Sequence, residues 1–450
     1  MRPRRAHRRE RVSWSEGSRF VSQPQVRFNH SGRVTVNAEE EPRTGVWIIG
    51  ARGAVATTTI VGARAAARSL FPLRGVTTEG PRGEGLSMPA ASALVFGGWE
   101  VRAGSLLDAA TDLAESGRIF DLRLLDPLAL DLQDIDRNIV RGGTRGSPRP
   151  CGAAADGETP AEVVEKLGGD LRAFRRRQSL ERVVVVNLAT TEPVFTTPED
   201  HLTLARLEES LRSGGSAVFR PSTLYAYAAM REGAAFINFA ASPAALAPAI
   251  RELAEREGVP FAGTDGKTGE TLVKSALASL FRERDLQVLA WHGDNVLGNA
   301  DGAALNAPEV KAAKVETKDG VIRGVLGYSP ETSVEITYVP SLGDWKTAWD
   351  LIHFQGFLGT RMTMQFTWQG CDSALAAPLV IDLVRLADLA LRRRESGPMT
   401  QAACFFKAPV GTQEQDLGRQ YAMLDRYLRR GRIAALAGGR RGSTWVPGVA

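Results

Sequence analysis

The segment that most constrains the fold lies near residue 50, where an apolar run meets a glycine turn. Residues 46–49 (VWII) lead directly into residues 50–53 (GARG), and a helix-like stretch continues to about Arg68. Glycines at a strand-to-helix turn let the backbone approach a pyrophosphate, and the helix N-terminus supplies unpaired N–H groups and a positive dipole. This order predicts the opening of a dinucleotide-binding fold, although a glycine turn without a ligand fits the same residues.

Apolar runs and amphipathic stretches continue to alternate after this turn. Strands are predicted at residues 93–96, 183–186, 236–239 and 261–263, and helices at residues 196–213 and 243–257. The β-branched run at 183–186 is typical of a strand that is buried on both faces of a parallel sheet. The alternation predicts a doubly wound sheet, and the chain is therefore assigned to the α/β class.

The sequence changes in character after about residue 270. Residues 286–292, 320–327 and 333–339 are predicted strands of a separate α+β unit, and residues 375–393 are predicted to form a long helix. Residues 1–44 are polar and irregular, and we expect an N-terminal arm with a basic, disordered start. A stretch rich in Gly, Pro and Arg between about 140 and 160 is expected to be a mobile loop.

Charge and composition exclude several classes of protein. The net charge is +5, but six arginines and one glutamate in residues 1–12 account for all of it, so the remainder is neutral. No nucleic acid is therefore expected as a partner. No run of about 18 apolar residues predicts a membrane span, and no apolar segment follows the basic start as it would in a secretory signal. The three cysteines, Cys151, Cys371 and Cys404, lack zinc-site spacing and are typical of a reduced, cytoplasmic protein.

The end of the second predicted strand carries a candidate ribose acid. Glu100 follows residues 97–99 (GGW), and its carboxylate can accept hydrogen bonds from the hydroxyls of an adenosine ribose. It lies about 50 residues after the glycine turn, whereas the usual separation is about 20. The turn and the acid together favour NAD as the cofactor, but the assignment needs further support.

A second turn, rich in glycine and hydroxyl groups, spans residues 263–271 (GTDGKTGET) and opens a predicted helix at about Thr271. Its backbone amides and the Thr268 hydroxyl can hold a phosphate. A simple helix N-cap explains the same residues equally well. Residues 293–302 (GDNVLGNADG) follow a predicted strand and suit a site loop better than a packing element.

Five lysines follow these turns. Lys311, Lys314 and Lys318 are spaced three and four apart, so a helix would place them on one face, and a solvated stripe is the alternative explanation. Lys346 closes residues 343–346 (GDWK), and Lys407 follows an apolar stretch where burial would prepare it for proton transfer. Together the lysines indicate a site for a phosphorylated, polyhydroxylated anion.

Four segments carry a resemblance to a known family. They are residues 297–302 (LGNADG), 343–346 (GDWK), 371–379 (CDSALAAPL) and 406–409 (FKAP). In this order and spacing they resemble the myo-inositol-1-phosphate synthase family, and the resemblance extends from about Trp47 to Lys407. It implies a Rossmann domain that binds NAD, with an inserted α+β domain for catalysis and oligomerisation. The implied boundaries are an arm at 1–44, the Rossmann domain at 45–270, the inserted domain at 271–371 and a returning C-terminal segment at 372–450.

The resemblance also implies a reaction. An isomerase of this family turns D-glucose 6-phosphate into 1L-myo-inositol 1-phosphate (1D-myo-inositol 3-phosphate), for inositol and phospholipid biosynthesis. NAD oxidises the C5 hydroxyl, C6 loses a proton, the enolate attacks the C1 aldehyde, and the hydride returns. Such a site needs a phosphate clamp, acid and base groups, and cations that face the oxyanions, and lysine can serve all three purposes. The implied assembly is a homodimer or homotetramer in which strands between 286 and 340 pair across subunits.

The resemblance assigns roles to individual residues. The implied catalytic residues are Lys314, Lys407, Asp265, Lys318 and Lys346. The implied contacts to the substrate phosphate are Thr268, Gly269, Lys318 and Lys346. The implied cofactor-binding residues are Gly50, Arg52, Gly53, Ala54, Val55, Glu100, Ala189, Thr190, Thr191, Asp265, Asn299, Asp301, Asp344, Asp372 and Ser373.

Several positions depart from the family pattern. Ala54 and Val55 replace paired asparagines in the glycine turn, and Ala300 replaces an asparagine beside Asn299. Glu100 stands where the family has an aspartate, and Thr268 where serine is common. Members of the family differ in whether they need a divalent metal or ammonium, and the five scattered histidines leave that requirement open.

Two rival functions fit the same architecture. An NAD(P)-dependent sugar-phosphate dehydrogenase would release NADH with each turnover, whereas the synthase would release none. A sensor that binds NAD or a sugar phosphate without catalysis would be expected to lack one of the site lysines. Lys314, Lys318, Lys346 and Lys407 are all present, and this favours the synthase.

Overall fold

The computed structural model describes residues 27–28, 34–35, 43–142, 158–192, 195–213, 219–298 and 320–439. Two units are distinguished, Met1–Glu41 and Pro42–Ala450. In the first unit, the two-residue strands β1 (Arg27–Phe28) and β2 (Val34–Thr35) pair antiparallel, which adds one short pairing to the irregular arm that the sequence predicts. All further elements belong to the second unit.

A parallel sheet forms the centre of the second unit. Its strands are β3 (Thr44–Ile49), β4 (Leu94–Glu100), β5 (Ile139–Arg141), β6 (Arg182–Asn187), β7 (Ala235–Asn238), β8 (Pro260–Gly263) and β13 (Gly397–Pro398). The seven strands are ordered β13-β8-β7-β6-β3-β4-β5. The chain moves from β3 towards β5, then returns to the other side of β3 at β6. The carboxyl ends of β3 and β6 therefore flank a topological switch point, where open α/β sheets bind ligands.

Helices cover both faces of this sheet. The α-helices of the described residues are α1 (Ala54–Ala67), α2 (Leu106–Glu115), α3 (Ala129–Asp136), α4 (Pro160–Gln178), α5 (Leu204–Ser213), α6 (Pro221–Arg231), α7 (Pro248–Glu257), α8 (Gly269–Glu283), α9 (320–326), α10 (Asp372–Arg392) and α11 (Leu417–Gly439). Of these, α8 and α9 pack against a second sheet. Among the described residues, no helix is both long and apolar enough to cross a membrane.

Strand β3 shows why the sheet needs cover on two sides. Successive side chains of a strand point to opposite faces. Val46 and Ile48 pack into one core, with Ile60 of α1, and Trp47 packs into the other core, with its ring 4.8 Å from that of Phe174 on α4. A strand that is apolar at every position is stable only in such a three-layer arrangement. The doubly wound α/β fold predicted from the sequence is confirmed.

A second, four-stranded sheet is ordered β10-β9-β11-β12. Its strands are β9 (Gln287–Leu297), β10 (Glu331–Tyr338), β11 (Trp345–Gln355) and β12 (Arg361–Cys371). β10 is parallel to β9, whereas β11 is antiparallel to both β9 and β12. One face packs against α8 and α9, where Phe281, Trp291 and Ile352 are buried together.

Two predicted segments differ from the structure after residue 290. Residues 320–326 form a helix instead of the predicted strand. Val321, Ile322, Val325 and Leu326 are buried, and this spacing matches the helical period of 3.6 residues, which a short apolar run does not reveal. Residues 293–297 belong to strand β9 and were wrongly predicted as part of a loop.

Two predicted helices are shorter than expected. The segment 243–257 divides at Ala247, whose extended backbone (φ −55°, ψ 157°) separates a short 3₁₀ turn from α7. Pro248 explains the division, because a proline disfavours the helical conformation of the residue before it. The segment predicted as helical from residue 196 begins its α-helix only at Leu204.

Candidate active site

A cavity of about 420 Å³ lies at the carboxyl ends of the central strands and is closed on one side by the second sheet. Two other clefts, of about 610 and 590 Å³, are more open to solvent and contain none of the predicted site residues. The predicted residues that line the cavity are Gly50, Gly53, Ala54, Val55, Glu100, Ala189, Thr190, Thr191, Asp265, Thr268, Asp344, Lys346, Asp372, Ser373 and Lys407. The fold therefore brings together residues that are more than 350 positions apart in the sequence.

The glycine turn after β3 is held tightly against the neighbouring strand. The N–H groups of Gly50 and Ala51 both donate to the Trp99 carbonyl, at 2.9 and 3.1 Å. Gly50 has φ +82°, a conformation that favours glycine. A Cβ on Gly53 would lie 3.0 Å from the Gly50 carbonyl oxygen, a tight contact that favours glycine at this position. The N-terminus of α1 thus faces the cavity, and its N-cap residue, Gly53, has no side chain that could cap it.

Glu100 lies at the end of β4, beside this turn, and its side chain is 2% exposed. Its carboxylate accepts hydrogen bonds from the Arg52 N–H and from the backbone and side chain of Arg102. Burial by itself raises the pKa of Glu100, but the hydrogen bonds and charge of Arg102 outweigh burial, and the net effect lowers the pKa. Glu100 is therefore a fixed anion at the place where a ribose acid is needed.

Two arginines flank Glu100 and differ in where they point. The Arg52 guanidinium donates to Asp136 at 2.9 Å and to the Arg102 carbonyl at 3.2 Å, and it does not line the cavity. Only the backbone of Arg52 faces Glu100. Arg102, which the sequence reasoning missed, lines the cavity beside Gly53. Its position two residues after the candidate ribose acid was the available signal.

The loop after β6 is fixed by two asparagines. Asn187 donates to the Asn238 side chain at 3.0 Å, and its own oxygen accepts from the Ala189 N–H at 3.2 Å. Asn238 donates to the Ser242 carbonyl at 2.9 Å. Both asparagines end adjacent parallel strands and are buried. They hold the loop of Ala189, Thr190 and Thr191 at the cavity wall.

Asp265 and Lys407 form an ion pair of 2.8 Å in the cavity wall. Their side chains are 8% and 11% exposed. The pair exists because the returning chain is hydrogen-bonded to the turn after β8: the Lys407 N–H donates to the Asp265 carbonyl, and the Thr264 N–H donates to the Ala408 carbonyl. Asp265 has φ +62°, which is rare for a residue other than glycine and is frequent at functional sites.

The N-terminus of α8 forms another part of the wall. Thr268 is the N-cap residue and lines the cavity, but its hydroxyl makes no capping hydrogen bond. The first N–H groups of a helix have no partner within the helix and can bind an anion. Gly269 has φ +47°, and a Cβ there would lie 2.9 Å from the Trp368 ring. The sequence reasoning missed Thr271, which lines the cavity one turn further on.

Lys346 faces the same end of the cavity and is backed by a buried ionic cluster. Its ammonium lies 4.0 Å from a Glu270 carboxylate oxygen. Glu270 also pairs with Lys274 at 2.7 Å, and Lys274 pairs with Asp350 at 3.1 Å. Burial would lower the pKa of Lys274, but Glu270 and Asp350 together raise it, whereas burial raises the pKa of Asp350. The sequence reasoning missed this cluster, although the spacing of Glu270 and Lys274 is that of a helical ion pair.

The N-terminus of α10 brings a third helix to the cavity. Asp344 accepts hydrogen bonds from the Ser373 N–H and from the Cys371 thiol, both at 3.0 Å. Burial raises the pKa of Asp344, and it raises the pKa of Cys371 to about 12. Asp372 and Ser373 line the cavity beside Asp344. Cys371 and Cys404 are both buried and form no disulfide.

Part of the predicted site lies outside the described residues. This part comprises Asn299, Asp301, Lys311, Lys314 and Lys318. Within the part of the chain that the structure describes, no group of three or more His, Cys, Asp or Glu residues could hold a metal ion.

The arrangement around the glycine turn fits NAD. The start of α1, which lines the cavity, suits a pyrophosphate, and the buried Glu100 carboxylate suits ribose hydroxyls. The Asp265–Lys407 pair lines the same cavity as the glycine turn and the loop of Ala189.

Comparisons with known proteins agree with this arrangement. A model of an NAD-binding family, described as myo-inositol-1-phosphate synthase, matches residues 81–429. Inositol-3-phosphate synthase 1 of Bacteroides thetaiotaomicron is 33% identical over 413 residues, which cover 86% of this chain and 95% of that protein. Inositol-3-phosphate synthase of Trypanosoma brucei brucei is 33% identical over 319 residues, which cover 66% of this chain and 58% of that protein.

Solved structures show the same fold. The crystal structure of inositol-3-phosphate synthase from Caenorhabditis elegans matches with a TM-score of 0.78 at 23% identity and covers 95% of both chains. A myo-inositol-1-phosphate synthase-related protein from Thermotoga maritima matches with a TM-score of 0.69 at 24% identity, covering 86% of this chain and 98% of that one. Because the family model spans most of the sequence, the chain belongs to the myo-inositol-1-phosphate synthase family.

Proposed function

We propose that the chain is an NAD-dependent isomerase that converts D-glucose 6-phosphate to 1L-myo-inositol 1-phosphate (1D-myo-inositol 3-phosphate). The observation that carries the proposal is that one cavity joins the glycine turn to the Asp265–Lys407 pair, Lys346 and the start of α8. A dehydrogenase needs only the glycine turn, which binds the dinucleotide, and the Asp265–Lys407 pair, which transfers a proton. A phosphate clamp and a second cation beside them suit a substrate that is held through several steps.

The substrate phosphate would bind at the α8 end of the cavity. There Thr268, the N-cap residue of α8, and Lys346 line the same cavity. N–H groups and a helix dipole favour an anion at such a terminus. Lys318 and Gly269 complete the proposed clamp.

Bound NAD supplies the chemistry of accepting a hydride from C5 and returning it. Lys407 would face the sugar oxygens, where its neutral amine takes the proton of the C5 hydroxyl as the hydride leaves. The ammonium that results returns this proton when the ketone is reduced again. Asp265 holds the Lys407 ammonium 2.8 Å away and so fixes its direction. Lys314 is proposed as the second cation, beside the oxyanions of the enolate and aldehyde.

The remaining cofactor contacts are proposed from the geometry of the cavity wall and, for Asn299 and Asp301, from the family resemblance alone. Gly50, Gly53, Ala54 and Val55 would meet the pyrophosphate, together with the Arg52 backbone. Glu100 would meet the adenosine ribose, and the loop of Ala189, Thr190 and Thr191 would meet the nicotinamide half. Asn299, Asp301, Asp344, Asp372 and Ser373 complete this proposed set.

We also propose a division into an arm (1–44), a Rossmann domain (45–270), an inserted α+β domain (271–371) and a returning segment (372–450). The inserted domain would carry the contacts of a homo-oligomer, a dimer or tetramer. The two edge strands of its sheet, β10 and β12, are eight and eleven residues long, and long edge strands are suited to pair with another subunit. Buried free thiols at Cys371 and Cys404 support a cytoplasmic location. The product would then serve inositol and phospholipid biosynthesis.

The test is a discontinuous assay of the purified chain with glucose 6-phosphate and a catalytic amount of NAD. We expect inositol phosphate in excess of the NAD supplied, without lasting NADH absorbance. Stoichiometric NADH without inositol phosphate would instead identify a sugar-phosphate dehydrogenase. Binding of both ligands without any product, across metal and ammonium conditions, would identify a sensor.

A further inference from the structure

The Glu100 carboxylate is already surrounded by donors. Its Oε1 atom accepts from the Val101 and Arg102 N–H groups at 2.8 and 3.0 Å, and from Arg102 Nε at 3.2 Å. Its Oε2 atom accepts from the Arg52 N–H and from Arg102 Nη2, both at 2.8 Å. A carboxylate offers about four lone-pair sites, and five donors share them here. A ribose hydroxyl that approaches Glu100 must therefore also meet the Arg102 guanidinium.

The Arg102 side chain can respond to a ligand, because it is 56% exposed, whereas the three N–H donors belong to the backbone. It also reaches the glycine turn. Its Nη2 atom lies 3.6 Å from the point that a Cβ on Gly53 would occupy. The guanidinium thus stands between the ribose acid and the surface that a pyrophosphate approaches.

The charges around this end of the cavity are matched in pairs. Arg102 is paired with Glu100, and Arg52 is paired with Asp136 on α3. The Arg52 guanidinium points away from the cavity, so Arg102 is the arginine that neutralises the ribose acid. Without Arg102, the buried Glu100 anion would repel a phosphate on the ribose 2′-oxygen. Rossmann proteins use an acid to bind a free 2′-hydroxyl and a nearby arginine to accommodate a 2′-phosphate.

We propose that Arg102 is a cofactor-binding residue that sets dinucleotide selectivity in this chain. Its guanidinium contacts the adenosine ribose and the adjoining phosphate, and it allows NADP to bind as well as NAD. This inference rests on the proposed NAD-dependent function and names a residue that the family resemblance does not assign. It predicts that the discrimination against NADP is weak in the natural chain and becomes strong when Arg102 is removed.

The experiment measures Kd for NAD and for NADP by calorimetry, with the full-length chain dialysed free of nucleotide. We expect Arg102→Ala to weaken NAD binding about tenfold and NADP binding about a hundredfold, because charged hydrogen bonds contribute about 1.5–3 kcal/mol each and 1.4 kcal/mol is tenfold. The matched control is Arg137→Ala. Arg137 is 78% exposed, lies outside the cavity, and carries the same charge. This control should bind both dinucleotides as the natural chain does.

Three outcomes would overturn the inference. An unchanged ratio of the two Kd values in Arg102→Ala would remove Arg102 from selectivity while leaving the proposed function intact. Absence of NADP binding by the natural chain would do the same. Absence of binding of either dinucleotide by the natural chain would remove both proposals. Arg102→Gln, which keeps two donors without the charge, provides a second variant with the same expected direction should Arg102→Ala melt at a lower temperature without nucleotide.

Discussion

Lys407 reaches the cavity because its backbone is hydrogen-bonded to the same turn that carries its partner, Asp265. We expect Lys407→Ala to lower kcat by about 10²–10⁴-fold, the range that a positioned acid or base contributes. NAD binding should stay within about twofold of the natural value, because the ribose and pyrophosphate contacts remain. The measurement is inositol phosphate formed per active site, together with a calorimetric NAD titration.

The control for this variant is Lys166→Ala, which removes an exposed lysine from α4. It should leave both kcat and NAD affinity unchanged. Turnover of Lys407→Ala near that of the control would remove Lys407 from the mechanism.

His201 makes a separate prediction about pH. The ring is fully buried between Phe195 and Phe219, with ring centroids at 5.7 and 5.2 Å. Its two nitrogens have no hydrogen-bond partner among the described residues. Burial lowers the pKa of His201 below its ordinary value of 6.5, and nearby Asp200 offsets only part of this effect. The unfolded chain therefore binds a proton more readily than the folded chain, and stability must fall as pH drops below about 6.5.

We expect His201→Phe to remove this loss, because phenylalanine fills the same aromatic stack without a titrating group. The free energy of unfolding of the natural chain should fall, relative to that of the variant, by up to about 1.4 kcal/mol per pH unit below 6.5. Urea unfolding at pH 7.5 and pH 5.5 measures the difference. Equal losses in the two proteins would show that His201 is not the responsible group.

Single residues also mark what the sequence could and could not predict. Lys407 and Asp265 were predicted as site residues from the resemblance to a known family, and the structure places them in contact. Asp350 carries no such local pattern, because the packing of α8 on the second sheet brings its partner, Lys274, to it. Arg102 was missed although it lies only two residues after Glu100. The sequence also does not reveal the direction in which a side chain points. Arg52 and Arg102 both lie close to Glu100, but only Arg102 lines the cavity.

At the scale of elements, α8 shows how one helix joins the site to the second sheet. Its N-terminus faces the cavity, and Lys274, one turn later, pairs with Glu270 and with Asp350 of β11. We expect Lys274→Met to lower the free energy of unfolding by about 3–5 kcal/mol, because it leaves buried carboxylates without their cation. Urea unfolding at pH 7.5 measures this change, with Lys166→Met as the exposed control.

A double variant sharpens the test of the Lys274 cluster. Lys274→Met with Asp350→Asn should lose less stability than the sum of the two single variants, since it removes the cation and one of its anions together. Additive losses, or a loss below about 1 kcal/mol in Lys274→Met, would show that the cluster does not connect α8 to β11.

Periodicity explains which elements could be predicted. The central strands are continuous apolar runs, and their sequence alone indicates burial on both faces. Helix α9 is also a short apolar run, and it was predicted as a strand because length and neighbours did not separate the two possibilities. Strand β12 was not predicted, although Met364, Phe366 and Trp368 alternate there with polar residues, which is the pattern of a sheet with one covered face.

At the scale of the whole molecule, the doubly wound sheet could be predicted, whereas the placement of the second sheet over it could not. The alternation of strands and helices restricts the topology of the first sheet to a few choices. No local pattern states that residues 345–371 form a hairpin whose start carries Asp344 and Lys346 to the carboxyl ends of distant strands. The site therefore depends on contacts between distant parts of the chain, and the periodicity of each part alone does not predict those contacts.

The outer face of the second sheet gives the prediction that belongs to the whole molecule. Ile352 and Phe354 of β11 are buried on the side of α8, so Trp349, Leu351 and His353 lie on the opposite side and are half-exposed. At the end of this strand, Phe357 and Leu358 are 87% and 86% exposed.

Exposed apolar faces of this kind mark protein–protein interfaces, so we expect a second subunit to bury this face. We expect Leu351→Glu to raise the Kd of the proposed oligomer at least about a hundredfold. It removes a leucine that the interface would bury, a burial that contributes about 1.5–3 kcal/mol, and it introduces a charge there. Light scattering at micromolar protein should then report monomers. The control is Leu130→Glu, which places the same charge on a leucine of α3 that is 71% exposed. If Leu351→Glu and Leu130→Glu have the same mass as the natural chain, the outer face of the second sheet is not the oligomer interface.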